Sequence, residues 1–357
     1  MAQAIGLRLD SRHRRSLAAA QGSKTSVYVA LAGNLIIAVA KFAAAWFTGS
    51  SAMLSEGAHS LVDCGNEILL LYGMRRAARP PDLAHPFGYG REVYFWSFVV
   101  ALLFFALGAG VSFYEGVQHL LHPEEIRYYA VTYVVLVIAI LCEGFSLRVA
   151  VKAFAQQKGE LGYVEAIKRS KNPATFTVLL EDSAALLGLG IACIGILGAQ
   201  FLEMPELDGV ASLGISLVLG VMAVFLAAET KGLLLGEQAS PHLEAAILRA
   251  ASEDPAVHIA NGVYTVHIGP EQIVAELSVA FERAADAAEI ERSVERIEAA
   301  IRTDHPEIIM LFVKPQTHET WRARLARIEA ASSPELRASG SRRRAVWRKP
   351  GEIPRKS

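Results

Sequence analysis

Cysteine is scarce in this chain, and charge is scarcer than a soluble protein of its length normally shows. Cys64, Cys142 and Cys193 are the only three cysteines in 357 residues, all within apolar runs and none in a CxxC pair. That excludes a disulfide scaffold and a thiolate zinc finger and leaves packed helix thiols. Charged residues make up 20% of the chain against 52% hydrophobic ones, and the mean hydropathy is +0.31. So apolar a composition excludes disorder and is unusual for a soluble enzyme. The chain has no HExxH, no GxSxG and no flanked aspartate pair of an intramembrane hydrolase, which sets hydrolysis aside. Its first 26 residues are polar and basic and lack the apolar core of a secretory signal, so the mature chain is expected to start here.

Long apolar runs are abundant. A membrane-spanning helix needs roughly 20 mostly apolar residues to cross about 30 Å of hydrocarbon. Six runs qualify: Val27 to Phe47, Ala52 to Met74, Val93 to Leu121, Tyr129 to Val151, Ala174 to Ala199 and Leu207 to Thr230. Their links divide by charge. The N-terminal arm carries Arg8, Arg12, Arg14, Arg15 and Lys24, the second link Arg75, Arg76, Arg79 and Arg91, and the fourth Lys158, Lys168, Arg169 and Lys171. The other three links hold only Arg127. Because cytoplasmic loops retain Lys and Arg, this pattern predicts six spans with both termini in the cytoplasm.

After Lys231 the pattern changes to a short helix from Pro241 to Glu253, strands from Val257 to His267 and from Gln272 to Phe281, an amphipathic helix from Asp286 to Thr303 and a last strand from Ile308 to Val313. The expected fold is therefore a polytopic α-helical membrane domain of six transmembrane helices plus a small cytosolic α+β (αββαβ) domain, its sheet covered on one face by two helices. Four regions follow: a basic arm (1–26), the membrane domain (27–231), the cytosolic domain (241–316) and a basic tail expected to be largely disordered (317–357).

Ionisable groups inside spans are costly, which makes each a functional candidate. In the second span His59 and Asp63 are four residues apart and share one helix face. Counting inward from Ser50 puts them about 13 Å and about 19 Å below the outer surface. In the fifth span Asp182 lies about 12 Å from the cytoplasmic end by the same arithmetic, at a matching depth. One imidazole and two or three carboxylate oxygens from two helices could hold a borderline divalent cation such as Zn²⁺. The same spacing could also serve a helix-pairing hydrogen bond without metal. Glu67, Glu115 and Lys41 near span ends are expected to snorkel, Asn34 to bond a neighbouring helix, and Glu143 either to pair with Arg148 or to line the pathway.

These residues sit in motifs that resemble the cation diffusion facilitator family from about Val27 to Pro315. The most specific pieces are GSSAMLSEGAHSLVD in the second span and HPFGYGREVYFWSF leading into the third, with LLHPE after it. LLEDSAALLG and LLLGEQASP are similar to the branch that contains human zinc transporter nine. The resemblance implies a homodimer exporting Zn²⁺ or a similar ion from the cytosol in exchange for protons, with no permanent cofactor and no enzymatic activity. It assigns His59, Asp63 and Asp182 as metal ligands, but places the remaining ligand at Val178, which cannot bind metal. Glu181 is the substitute candidate, although it points about 100° from Asp182 on an ideal helix. Asp82 and His85 match two members of a secondary metal site whose last position is Tyr89, and His85 more readily orders the loop. Arg91 is expected to pair with Glu237 beyond the sixth span. The domain's His258, His267 and His305 form no ligand-like cluster, so metal-stabilised docking is expected to be weak or absent.

Histidine suits exchange, because an ordinary pKa near 6.5 lets modest changes switch it between ligand and proton carrier. The alternatives are a degenerate, non-transporting scaffold, motivated by Val178, and a carrier of Mn²⁺, Fe²⁺ or Co²⁺. No organellar transit pattern is evident, which fits a bacterial inner membrane. The net charge of −1 conceals opposed fields: residues 241–314 hold 6 basic and 13 acidic side chains, and residues 315–357 hold 11 basic and 4 acidic. An acidic domain can concentrate divalent ions, and a basic tail suits anionic lipid headgroups better than nucleic acid.

Overall fold

A computed structural model describes residues 2–48, 51–123, 129–159 and 161–331; the side chains of 2–22, 45, 48, 51–59, 157 and 329–331 lie outside that description. The chain divides into two compact units, Met1–Leu235 and Gly236–Ser357.

In the first unit every expected span is helical. Helix α1 (Ala2–Thr48) begins well before the expected arm ends; α2 covers Ser51–Ala77. The third span combines α3 (Glu92–Leu103), a π-helical segment (Phe104–Ala109) and α4 (Gly110–Leu121). Then come α5 (Tyr129–Lys158), a short α6 (Tyr163–Arg169) within the fourth link, α7 (Pro173–Leu202) and α8 (Glu206–Leu235). Pro173 opens α7, where a missing N–H costs nothing, and Glu203 closes it in the left-handed region at φ 53°.

Among the described residues, five helical stretches are long and apolar enough to cross a bilayer: Ser23–Ala44, Glu92–Leu121, Tyr129–Gln156, Pro173–Leu202 and Glu206–Leu235. The expected second span is not among them. Helix α2 is 27 residues long but carries Asp63, Asn66, Glu67, Arg75 and Arg76. It can join the bundle because α1 and α3 pack beside it and its Asn66 and Glu67 are buried, bonded to Glu181 and Asn34.

Bundle packing rests on small residues, as expected where lipid offers no hydrophobic drive. A Cβ on Gly209 of α8 would meet the Gly116 carbonyl oxygen and the Leu120 nitrogen of α4, each at 3.0 Å. The π segment widens the third span at the same seam, and Ser216 of α8 donates to the Ala109 carbonyl at 2.8 Å.

The second unit follows the expected order and adds an element. Helix α9 (Pro241–Ser252) is capped by Ser240, and α10 (Ala287–Asp304) by Asp286, whose carboxylate accepts from the Glu289 N–H at 2.8 Å. Strand β2 (Gln272–Phe281) is central, antiparallel to β1 (Val257–Gly269) and parallel to β3 (Ile308–Pro315). Ile247, Leu277, Ile297 and Ile301 knit α9 and α10 onto the sheet.

The stretch beyond Gln316, expected to be unstructured, instead begins as helix α11 (His318–Ala331). Trp321, 1% exposed, lies against Gly262 of β1, where a side chain would collide with the indole. Arg324 lies over the Tyr264 ring at 5.0 Å and donates to Glu276 at 2.9 Å. Its RARLAR composition suggested solvated charge; a single tryptophan and a glycine-made hollow supply the docking.

Replacing Trp321 by Ala should destabilise this unit by about 3–5 kcal/mol, the scale of a buried aromatic truncation, read in the full chain as faster hydrogen exchange across α11 and β1. The docking should also weaken in acid. The hydrogen bond from Arg324 holds the Glu276 carboxyl below its ordinary range despite partial burial. Its contribution is complete above the unfolded value near about 4.3 and disappears as pH falls through the lower folded value. Glu276→Gln should flatten the pH dependence of α11 exchange in that window.

Candidate metal centre

The polar face of α2 continues further than the sequence motif indicates. Asp63 and Glu67 are one helical turn apart, with Asn66 beside Glu67. Asp63 is half-buried, whereas Asn66 and Glu67 are each 1% exposed. Facing them on α7 are Glu181 and Asp182, both buried, and on α5 Glu143 and Ser146, also buried.

Neutral donors hold these carboxylates. Asn34 of α1 donates to Glu67 Oε1 at 2.8 Å, Asn66 of α2 to Glu181 Oε1 at 3.1 Å, and Ser146 of α5 to Asp182 Oδ2 at 2.7 Å. Asp63 and Asp182 each lie within electrostatic range of Glu67, Glu143 and Glu181. Five acidic side chains from three helices therefore share one buried region. Lys41 of α1 brings positive charge to it: its ammonium donates to Ser60 Oγ at 2.9 Å, and its field reaches Glu143.

Asp63 and Asp182, picked out by depth, thus have Glu67, Glu143 and Glu181 as common electrostatic neighbours. His59 lies on α2 one turn before Asp63, but its side chain is outside the described residues. Among the described residues no three His, Cys, Asp or Glu side chains converge at metal-ligand distance. Glu181 and Asp182 diverge as ideal helix geometry requires, one toward α2 and the other toward α5. Val178 is 1% exposed and packs with Phe176, Leu179 and Leu180 in an apolar cluster.

Two expectations change, and the open alternative for Glu143 narrows. Glu67 does not snorkel; it is buried and bonded to Asn34, which does bond a neighbouring helix as expected. Lys41 turns inward to Ser60. Glu143 is buried among the acidic groups while Arg148, five residues on and exposed, points about 140° away around the helix. The spacing His59, Asp63, Glu67, each one turn from the next, was the signal for Glu67.

The loop before α3 is ordered by Asp82. Its Oδ1 accepts from the Ala84 and His85 amides at 3.0 and 2.7 Å, and its Oδ2 from the Tyr89 hydroxyl at 2.6 Å. The His85 and Tyr89 rings lie against each other, tilted by 35°, with centroids 4.2 Å apart. The Tyr89 hydroxyl and the His85 amide hold the Asp82 carboxyl below its ordinary range. These three bonds make Asp82 the organiser of a turn. Arg91 directly precedes α3, whose Glu92 pairs with Arg76 at 2.8 Å, and Glu237 lies past α8, its carbonyl accepting from the His267 amide at 2.9 Å.

Residues 27–235, more than half of the chain, match the family model described as the cation efflux transmembrane domain. The chain belongs to the cation efflux, or cation diffusion facilitator, family. It is 33% identical over 267 residues to the mitochondrial proton-coupled zinc antiporter SLC30A9 of Mus musculus, covering 73% of this chain and 47% of that protein. It is 30% identical to metal tolerance protein C4 of Arabidopsis thaliana, over 70% of this chain and 55% of that one. The magnetosome protein MamM of Magnetospirillum gryphiswaldense is 25% identical over 83% of this chain and 89% of its own length. These similarities place the chain with the SLC30A9-like branch. The chain spans about half the length of the SLC30A9 and C4 relatives. With its membrane-length helices it is an integral membrane protein.

If Asp82 is structural, Tyr89→Phe should accelerate hydrogen exchange at the Ala84 and His85 amides. His85→Ala and Asp82→Ala should leave the number of metal ions bound per chain unchanged, measured by equilibrium dialysis.

Proposed function

We propose that this chain exports a divalent cation, Zn²⁺ foremost, in exchange for protons, by alternating access to a site containing His59, Asp63 and Asp182. The observation that carries this reading is the set of acidic side chains from α2, α5 and α7 meeting inside a cation efflux membrane domain. Carboxylates so deep cannot all stay ionised without a cation or protons to balance them, and those are the two species an antiporter exchanges. The relatives' names, a proton-coupled zinc antiporter and a metal tolerance protein, point the same way.

Under this reading α2 also spans the membrane, as the second of six, lined by protein where its polar face would meet lipid, and both termini are cytoplasmic. The working assembly is a homodimer, the acidic cytosolic domain raises the local cation concentration, and the basic tail rests on anionic headgroups. Arg91 and Glu237 remain a proposed pair. SLC30A9 is named as mitochondrial, so the comparisons lend no support to a bacterial inner membrane.

In proteoliposomes with an imposed pH gradient, Asp63→Asn and Asp182→Asn should each reduce Zn²⁺ uptake at least about tenfold, since losing even about 1.4 kcal/mol of ion binding has that effect. Undiminished uptake in both would overturn the site. A second reading, a scaffold that keeps the fold without transporting, is favoured by the apolar packing of Val178. It predicts no uptake in the native protein and none in Val178→His.

A further inference from the structure

Glu67, Glu181 and Asn66 have a feature that Asp63 and Asp182 do not require. Each is at least nine-tenths buried, and each leaves one oxygen without a hydrogen-bond partner: Glu67 Oε2, Glu181 Oε2 and Asn66 Oδ1. Their other polar atoms are fixed. Asn34 holds Glu67 Oε1, and the Asn66 amide nitrogen holds Glu181 Oε1, so the orphaned Asn66 oxygen lies in the same amide plane, beside the Glu181 carboxylate. The two glutamates also act on each other electrostatically. Thr177, one turn before Glu181 on the same face of α7, is fully buried with its hydroxyl unpartnered.

Leaving a single buried polar group unsatisfied costs about 1–3 kcal/mol, more for a charged one. Two carboxylates and an amide that each retain an open oxygen in one place are therefore an arrangement that a cation would satisfy at a stroke. All the donors are oxygen, and neither nitrogen nor sulfur is among them. Such a set suits a hard, partly hydrated divalent ion, which takes one or two carboxylates and keeps some of its water.

We infer a second cation site, formed by Glu67, Glu181 and Asn66, beside the Asp63 and Asp182 level: Glu67 lies one helical turn after Asp63 on α2, toward Arg75 and Arg76, and Glu181 one residue before Asp182 on α7, toward Pro173. It rests on the reading of this domain as a cation carrier and adds a station to it. An incoming ion is held there by oxygen while still partly hydrated, then passes one turn deeper to the site with the imidazole. Glu67 belongs to this station alone, which separates it experimentally from the other.

The test counts Mn²⁺ ions bound to the purified full-length protein, by equilibrium dialysis and electron paramagnetic resonance. The native chain should bind two, Glu67→Gln one, and the Asp63→Asn/Asp182→Asn double variant one, in an all-oxygen environment. Glu67→Asp, which keeps the charge on a shorter arm, should regain part of the second ion, which a misfolded protein would not. The inference is overturned if Glu67→Gln still binds two ions, if it binds none, or if the native protein binds a single ion that the double variant loses. Uptake in proteoliposomes tests the carrier reading separately: two bound ions without uptake would sink transport and leave the station standing, and uptake with one bound ion would do the reverse.

Discussion

The membrane unit is organised around the cost of keeping carboxylates away from water. Moving one ionised carboxylate into a low-dielectric interior costs several kcal/mol even after relaxation. Glu67, Glu181 and Asp182 are each held there by one neutral donor from a different helix: Asn34, Asn66 and Ser146. A buried arginine in any of those places would have neutralised the charge permanently. An amide or hydroxyl fixes the position of the carboxylate and leaves its charge available. The same three bonds tie α1 to α2, α2 to α7 and α5 to α7, so the groups that define the site also set how the helices pack.

This constraint explains the composition of α2. A helix carrying Asp63, Asn66 and Glu67 in its middle is too polar to face lipid, and it is tolerable only when surrounded. Its neighbours α1 and α3 are more apolar and expose large side chains such as Ile36, Val39, Phe95 and Leu102 outward.

Much of this was legible in the sequence. Run length located the helices, because the bilayer thickness imposes a minimum that few other folds meet. Depth and spacing single out Asp63 and Asp182 as candidates. Glu67 is less legible: its distance from a span end suggests snorkelling, whereas its place on the His59 and Asp63 face decides its burial. Asn34 and Ser146 act across helices, and nothing local in the sequence signals a partner 33 or 36 positions away. Helix α11 was hidden for a related reason: its docking depends on Gly262 leaving a hollow for Trp321, a relation between distant residues with no periodicity to reveal it.

The π-helical segment from Phe104 to Ala109 carries a consequence of its own. An extra residue in one turn rotates everything after it by about 100° relative to a regular helix. The third span is thereby re-phased halfway along. Its first half turns Tyr94, Ser97 and Ala101 into the bundle, while its second half presents Gly116 to α8. One continuous rod thus keeps two alignments, and loss of a single residue between 104 and 109 would swing Gly116 out of its seam without altering any residue of the acidic site.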